Sequence, residues 1–323
     1  MPQEIALHGV IVPSLLALAA AAVMLFVPMR GRGALVLRAR AALAAVAIAF
    51  ALSFRARQGW NWPIASKWEW FAPAIAAISL VGILAPAGFT REARWIVGAA
   101  MALVAGAVMA WSLALPGFDS WSWRLAIGAA TTVLALVLLG AMRAPIAALL
   151  GASASLGGLA LVVIASAFEK LTTITACVGA TLLGATLLVA LANRRRSARS
   201  SPRSAPNARA QSSAARTAPD SIVRNAGMLD APIERLPAPA LASVIAALIV
   251  GATAIGASYA HDDFPRWPWL VALLAPIAML PALAVPSRRL RGAIMILLAA
   301  LVALGNAGLV LAPLIRRGDF PPA

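Results

Sequence analysis

The only long polar run in the chain is Asn193–Pro239, with the sequence NRRRSARSSPRSAPNARAQSSAARTAPDSIVRNAGMLDAPIERLPAP. Seven arginines and no acidic residue lie between Arg194 and Arg216. Lys and Arg accumulate in the cytoplasmic loops of membrane proteins. The run therefore predicts on which side of a membrane this segment lies, and with it the orientation of every helix before and after it.

The sequence on both sides of this run is too apolar for a soluble protein. Hydrophobic residues make up 62% of the chain and charged residues 12%, which lies outside the usual range of soluble domains. The apolar residues form blocks of about 20, enough to cross ~30 Å of hydrocarbon as helix. Val10–Val27, Trp95–Leu115 and Ala293–Ile315 contain no charge at all. Because these blocks are apolar on all sides, the sequence predicts an all-α polytopic membrane protein.

Hydropathy predicts about ten transmembrane helices, separated by short polar turns. Their expected ranges are Val10–Val27, Leu35–Phe54, Trp70–Phe89, Trp95–Leu115, Leu125–Met142, Ile146–Ala167, Thr172–Ala192, Leu241–Ala260, Pro268–Val285 and Ala293–Ile315. The second has a short uninterrupted apolar core, Ala41–Phe54, and without it nine helices would remain. Along the chain this gives a seven-helix region at 1–192, a linker at 193–240 and a three-helix region at 241–323.

The charges of the loops predict the orientation of these helices. With the N-terminus outside, 19 of the 27 Lys and Arg residues fall in inner loops, and 7 of the 11 acidic residues fall outside. The reverse orientation would invert this distribution, against the preference of basic residues for the cytoplasm. The ten-helix arrangement thus places both termini outside, whereas nine helices would place the N-terminus inside.

The linker has the Ser, Ala, Arg and Pro content of a segment that buries too little apolar surface to fold alone. The sequence predicts a mostly disordered cytoplasmic tether, with a regulatory or partner-docking segment as the alternative. Its basic part, Arg194–Arg216, is expected to bind anionic lipid head groups at ~1 kcal/mol per arginine. A net charge of +16 would suggest nucleic acid in a soluble protein. Here the arginines flank helices, so no nucleic-acid partner is predicted.

Few motifs in the chain carry chemistry. There is no Gly-rich phosphate loop followed by lysine, no His-Glu-x-x-His, no Cys-x-x-Cys and no Gly-x-Ser-x-Gly. No ionisable residue lies near the middle of a span, where proton and cation transporters usually need one. His261-Asp262-Asp263 is interpreted as a solvated turn, because adjacent residues rarely converge on one metal. The sequence predicts no catalytic residue, no cofactor and no metal, and it leaves enzymatic activity uncertain.

Small and polar residues inside the spans predict helix packing. Small residues recur every four positions in three spans, at Gly98, Ala102, Gly106 and Ala110, at Ala176, Ala180 and Gly184, and at Ala252, Gly256 and Ala260. Such spacing lets helix backbones approach closely in lipid, which predicts a compact bundle. Asn306, the most polar residue of the last span, is expected to hydrogen-bond to a neighbouring helix.

The tryptophans are unevenly distributed, since nine of the ten fall on the predicted outer side. One explanation is an aromatic belt at the membrane interface. The other is an outer-facing binding groove with nearby carboxylates, in which Arg55, Arg57 and Lys67 meet a phosphate head group. The candidate residues for such a groove are Trp60, Trp62, Trp68, Glu69, Trp70, Asp119, Trp121, Trp123, Asp262, Asp263, Trp267 and Trp269.

Three functions of different class agree with these patterns. The first is a non-catalytic subunit or scaffold that binds another membrane protein. The second is a carrier or flippase for a neutral or lipid-like substrate. The third is a membrane-embedded enzyme that uses Glu69, Asp119 or Asp262 with Asp263 as acid or base at the outer interface. The Ala- and Arg-rich composition is typical of GC-rich bacterial genomes, which predicts the bacterial inner membrane.

Overall fold

A computed structural model of the chain describes residues 6–26, 32–59, 64, 66–84, 91–116, 120–166, 168–200, 238–260 and 264–317. Within these residues lie ten helices long and apolar enough to cross a membrane, which confirms the predicted fold class. They are α1 (Val12–Phe26), α2 (Arg32–Gln58), α3 (Phe71–Leu84), α4 (Arg91–Ser112), α5 (Trp121–Ala141), α6 (Pro145–Ala165), α7 (Glu169–Ser200), α8 (Ala238–Tyr259), α9 (Trp267–Ile277) and α10 (Arg288–Arg317).

Short helical turns complete three of these spans. A π-helical turn, Leu7–Ile11, precedes α1, and a 3-10 turn, Lys67–Trp70, precedes α3. The ninth span is broken in two, because α9 ends beside Pro276 and a 3-10 turn at Leu280–Ala284 continues it. Proline lacks the N–H that a continuous helix needs. The second span, whose apolar core is short, is a continuous helix.

The seventh helix is longer than the sequence predicts. It continues from Glu169 to Ser200 and so includes the first eight residues of the polar run Asn193–Pro239. The apolar part of the helix ends near Ala192, and the arginine-rich continuation extends past it. Residues 201–237, which make up most of the predicted linker, lie outside the described residues, and Ala238 and Pro239 begin α8.

Helix α8 occupies the centre of the bundle. It packs against seven other helices, α2, α3, α4, α5, α6, α7 and α9. These seven form a ring in the order α2, α3, α4, α5, α9, α6, α7, and every α8 residue from Ala238 to Val250 is buried. Helix α1 packs outside this ring on α2 and α7, and α10 packs outside on α6 and α9. The seven-helix and three-helix regions of the sequence are thus interleaved in space.

Small residues allow this close packing, as their spacing predicts. Gly106 on α4 and Gly128 on α5 face each other where the two helices cross. A Cβ on Gly106 would lie 2.5 Å from the Gly128 carbonyl oxygen, and one on Gly128 would lie 2.8 Å from the Gly106 oxygen. No larger residue fits at such a crossing without separating the backbones.

Contacts between helix ends place the predicted outer loops at one end of the bundle. The Ser53 hydroxyl donates to the Gly9 carbonyl at 2.6 Å, and the Ser258 hydroxyl donates to the Pro116 carbonyl at 2.7 Å. We call this end the tryptophan face, because it carries Trp68, Trp70, Trp121, Trp123, Trp267 and Trp269. That it faces the outside of the cell stays a prediction.

Candidate functional site

A polar cluster lies at the tryptophan face, where the end of α2 meets the turn before α3 and the start of α7. Gln58 donates from Nε2 to Glu69 Oε1 at 2.5 Å, and its Oε1 accepts a hydrogen bond from Lys170 Nζ at 2.9 Å. The Glu69 side chain is only 6% exposed. A buried carboxylate needs such a partner, since desolvation without one is costly. One amide side chain thus connects three helical segments.

A salt bridge completes the polar cluster. Arg57 on α2 pairs with Glu169 at the start of α7, with Nη2 and Oε1 2.5 Å apart. The Arg57 side chain is 17% exposed and the Glu169 side chain 59%, so water screens this pair more than it screens Glu69. Both carboxylates of the cluster are therefore engaged by a residue of α2.

A chain of aromatic rings connects the same helices. Successive centroids lie 5.4 to 5.9 Å apart, within the range of favourable ring contacts. The order of the rings is Phe71, Phe50, Phe54, Trp68, Phe168 and Tyr259. Trp68, a candidate binding residue from the sequence, is buried as one of these rings. Its indole packs against phenylalanines of α2 and of the segment before α7.

The other described tryptophans of the candidate set divide into two kinds. Trp70, Trp121, Trp123 and Trp267 are exposed, at the starts of α3, α5 and α9. Indole rings at helix ends favour the membrane interface. Trp269 is 2% exposed, its ring fills the space beside Gly256 of α8, and its centroid lies 5.7 Å from that of Phe264. The described tryptophans of the set therefore lie at the starts of three different helices. Trp68 and Trp269 are buried packing residues, and the other four are exposed.

The remaining candidate residues are Trp60, Trp62, Asp119, Asp262 and Asp263, and these lie outside the described residues. Within the part of the chain that the structure describes, no three His, Cys, Asp or Glu side chains gather as metal ligands would. Cys177 is buried on α7, with its sulfur 3.4 Å from the Ser14 hydroxyl oxygen.

A cleft of ≈ 290 Å³ opens between α2 and α3. Its walls are almost wholly apolar, and the lining residues are Ala47, Ile48, Phe50, Ala51, Phe54, Ala72, Ile75, Ala76, Ser79, Leu80 and Ile83. Phe54 and Ala72 mark the end at the tryptophan face. Ser79 is the one polar side chain in the wall; it is 3% exposed, and its hydroxyl has no hydrogen-bond partner among the described residues.

Two cations lie near the end of this cleft at the tryptophan face, which we call its mouth. Arg55 follows Phe54 on α2, and Lys67 begins the 3-10 turn that leads into α3; both side chains are exposed. The two segments are held together, because the Phe54 and Trp68 rings lie 5.5 Å apart. Neither cation forms an ion pair with a described acidic residue.

The sequence predicts neither the pairing in the polar cluster nor the cleft. It places the loop after the second helix and the turn before the seventh on the same side, and the opposite charges of their side chains are a signal for pairing. Nothing in the sequence indicates that these two loops are neighbours. The cleft results from alanines on facing sides of α2 and α3, and in so alanine-rich a chain they carry no signal of their own.

Comparison of the chain with protein-family models, curated proteins and solved structures finds no match.

Proposed function

We propose that this protein is a non-catalytic subunit or scaffold of a membrane complex in the bacterial inner membrane. The observation that carries the proposal is the engagement of Glu69 and Glu169, the two described carboxylates of the polar cluster, by α2 residues. Glu69 belongs to the sequence-derived candidate site, and Glu169 lies in the same polar cluster. Their contacts connect helices of the bundle.

The burial of Glu69 supports a structural role for it. A general acid or base must reach the proton that it transfers, directly or through one water. Glu69 is largely covered, and its carboxylate accepts the Gln58 amide. Arg57 and Glu169 in the same way join α2 to α7. A face whose charges hold helices together suits a protein that presents a fixed shape to a partner.

Purification from native membranes tests the subunit proposal. The full chain, carrying an affinity tag, is extracted in mild detergent after brief chemical crosslinking and separated by size. We expect a second membrane protein in a fixed ratio, lost when the tagged chain is solubilised in harsh detergent. A chain that runs alone under both conditions overturns the proposal.

A carrier or flippase for a lipid-like substrate is the second candidate, and the α2–α3 cleft favours it because its apolar lining reaches the tryptophan face at Phe54 and Ala72. Reconstitution into vesicles with a fluorescent phospholipid tests this candidate. Transport predicts that labelled lipid moves from the inner to the outer leaflet, where a membrane-impermeant quencher reaches it, whereas in protein-free vesicles about half stays protected. Equal protection in both preparations overturns the candidate.

We further propose that the Arg194–Arg216 segment lies in the cytoplasm against anionic lipid head groups. The support is its charge, since seven arginines without an acid are attracted to an anionic leaflet. Vesicle sedimentation tests this with a peptide of residues 194–216, a segment predicted to be mostly disordered. Equal binding to neutral and anionic vesicles would contradict it.

A further inference from the structure

We propose that the α2–α3 cleft binds one acyl chain of an anionic glycerophospholipid, whose phosphate group is held by Arg55 and Lys67. The inference goes beyond both candidate functions and rests on neither. A subunit and a carrier can each contain such a lipid site.

The length of the cleft matches one leaflet of a bilayer. On α3 the lining residues run from Ala72 to Ile83, which corresponds to ~16 Å of helix at 1.5 Å per residue. Half of the hydrocarbon thickness of a bilayer is about 15 Å. The cleft begins at the tryptophan face and extends along α3 for about the length of one acyl chain.

The lining of the cleft suits a hydrocarbon chain. Ala51 and Ala76 on opposite walls leave a concave surface, and the larger side chains Ile48, Ile75 and Ile83 add apolar area. An ordered water needs two to four polar partners, and the wall offers only the Ser79 hydroxyl. An empty gap would forfeit dispersion contacts along its whole lining. In a bilayer an acyl chain is the apolar molecule at hand to fill it.

Charge at the mouth determines which lipid fits. Arg55 lies one helical turn beyond Ala51 on the same side of α2, and Lys67 lies at the start of the segment leading into α3. The nearby carboxylates are engaged, Glu69 by Gln58 and Glu169 by Arg57. Two exposed cations without a described acidic partner attract the phosphate of a lipid. The attraction is strongest when the head group carries no positive charge of its own. A head group with net negative charge is therefore favoured over a zwitterionic one.

Mass spectrometry of the intact protein in detergent tests the inference. The purified, delipidated full chain is titrated with phosphatidylglycerol or with phosphatidylcholine of the same acyl chains. With ~1 kcal/mol per cation near a lipid phosphate, we expect the first bound phosphatidylglycerol to be favoured about 30-fold. The preference should shrink as salt screens the charges. Equal affinity for the two lipids overturns the charge assignment.

Two pairs of variants locate the site. Ala76→Phe places a ring in the cleft, whereas Ala77→Phe adds the same ring to the next exposed residue of α3, outside the cleft. Loss of several buried methylene contacts predicts binding weakened about tenfold or more in Ala76→Phe, with no change in Ala77→Phe. Arg55→Gln with Lys67→Gln should abolish the preference for phosphatidylglycerol. Arg266→Gln, which changes an exposed cation of the same face just before α9, should leave it unchanged.

Two further measurements keep the inference open to refutation. If Ala76→Phe does not fold, as judged by its size and helix content, Ala51→Leu narrows the cleft from the α2 wall instead. A photoreactive amino acid at position 76 should capture lipid in membranes. Capture of another part of this chain or of a second copy identifies a protein occupant and overturns the inference, as does equal lipid binding by the Ala76→Phe and Ala77→Phe variants. None of these outcomes depends on whether a partner protein co-purifies.

Discussion

Gln58 donates a hydrogen bond to Glu69 at 2.5 Å and thereby joins the last residue of α2 to the turn that begins the third span. The same side chain accepts the Lys170 ammonium at 2.9 Å. The Gln58 amide thus forms hydrogen bonds with both the buried Glu69 carboxylate and the Lys170 ammonium. The amide connects α2, α3 and α7 at this face, beside the Arg57–Glu169 pair and the aromatic rings.

Replacement of Glu69 is expected to destabilise the bundle. In Glu69→Ala the Gln58 amide loses its charged acceptor at a buried position, which predicts a loss of about 1.5–3 kcal/mol in the free energy of unfolding. Glu169→Ala is the matched control, because the Glu169 side chain is 59% exposed and a solvent-screened ion pair is worth about 1 kcal/mol or less. Denaturant unfolding in detergent measures both. A loss for Glu169→Ala as large as that for Glu69→Ala would contradict the structural role of the buried carboxylate.

Asn306 should contribute to the association of α9 with α10. Its Nδ2 donates to the Pro268 carbonyl at 2.8 Å, and the side chain is buried; the interhelical hydrogen bond expected from the sequence is therefore confirmed. Asn306→Ala leaves that carbonyl without its donor, which predicts a loss of about 1–3 kcal/mol. Leu309→Ala, at an exposed position of the same helix, should change the unfolding midpoint little. Equal shifts for the two variants would show that the hydrogen bond adds no stability.

Two glycines are expected to respond oppositely to alanine. A Cβ on Gly158 of α6 would lie 2.7 Å from the Ala303 carbonyl oxygen of α10, so Gly158→Ala must push the helices apart, at a cost of about 1–3 kcal/mol. A Cβ on Gly305 meets nothing within 4 Å. Gly305→Ala should therefore be neutral or stabilise by up to about 1 kcal/mol, since glycine is a poor helix former. The thermal unfolding midpoints of the two variants test this prediction. A higher midpoint for Gly158→Ala would disprove the close crossing of α6 and α10.

The orientation can be measured with single cysteines. Cys177, the sole cysteine, is buried and should stay unlabelled in folded protein. In intact cells a membrane-impermeant maleimide should label Arg266→Cys, at the tryptophan face, and spare Arg143→Cys, in the turn between α5 and α6. Labelling after permeabilisation serves as the control for Arg143→Cys. Labelling of Arg143→Cys alone in intact cells would place the tryptophan face in the cytoplasm and reverse the predicted topology.

Much of the fold could be predicted because each span carries its own signal. Blocks of about 20 apolar residues predict ten helices, including the weak second one, and the structure has ten. The end of α7 could not be predicted in this way. Ser200 lies beyond the apolar block, and hydropathy cannot distinguish a helix that continues past the membrane from a polar linker.

The candidate site was less predictable. Tryptophans at helix starts are visible in the sequence, but whether an indole faces lipid or a neighbouring helix depends on that neighbour. Trp70 is 45% exposed, whereas Trp269 fills the space beside Gly256. The contact between Gln58 and Glu69 joins residues 11 apart, and Arg57 and Glu169 are 112 apart. Charge alone does not show that such residues meet.

The sequence by itself determined which segments are transmembrane helices and which loops share a side, because the apolar length of one segment decides whether it can cross a bilayer. Only the tertiary structure decided the order of the helices in space. The long polar run precedes the last three helices along the chain, and in space the first of them, α8, lies at the centre, within a ring of seven helices. Because lipid tails are as apolar as leucine, close packing and a few polar contacts determine which helices in a membrane become neighbours. These arise between residues far apart in the chain, such as Gly251 of α8 with Phe71 and Met109.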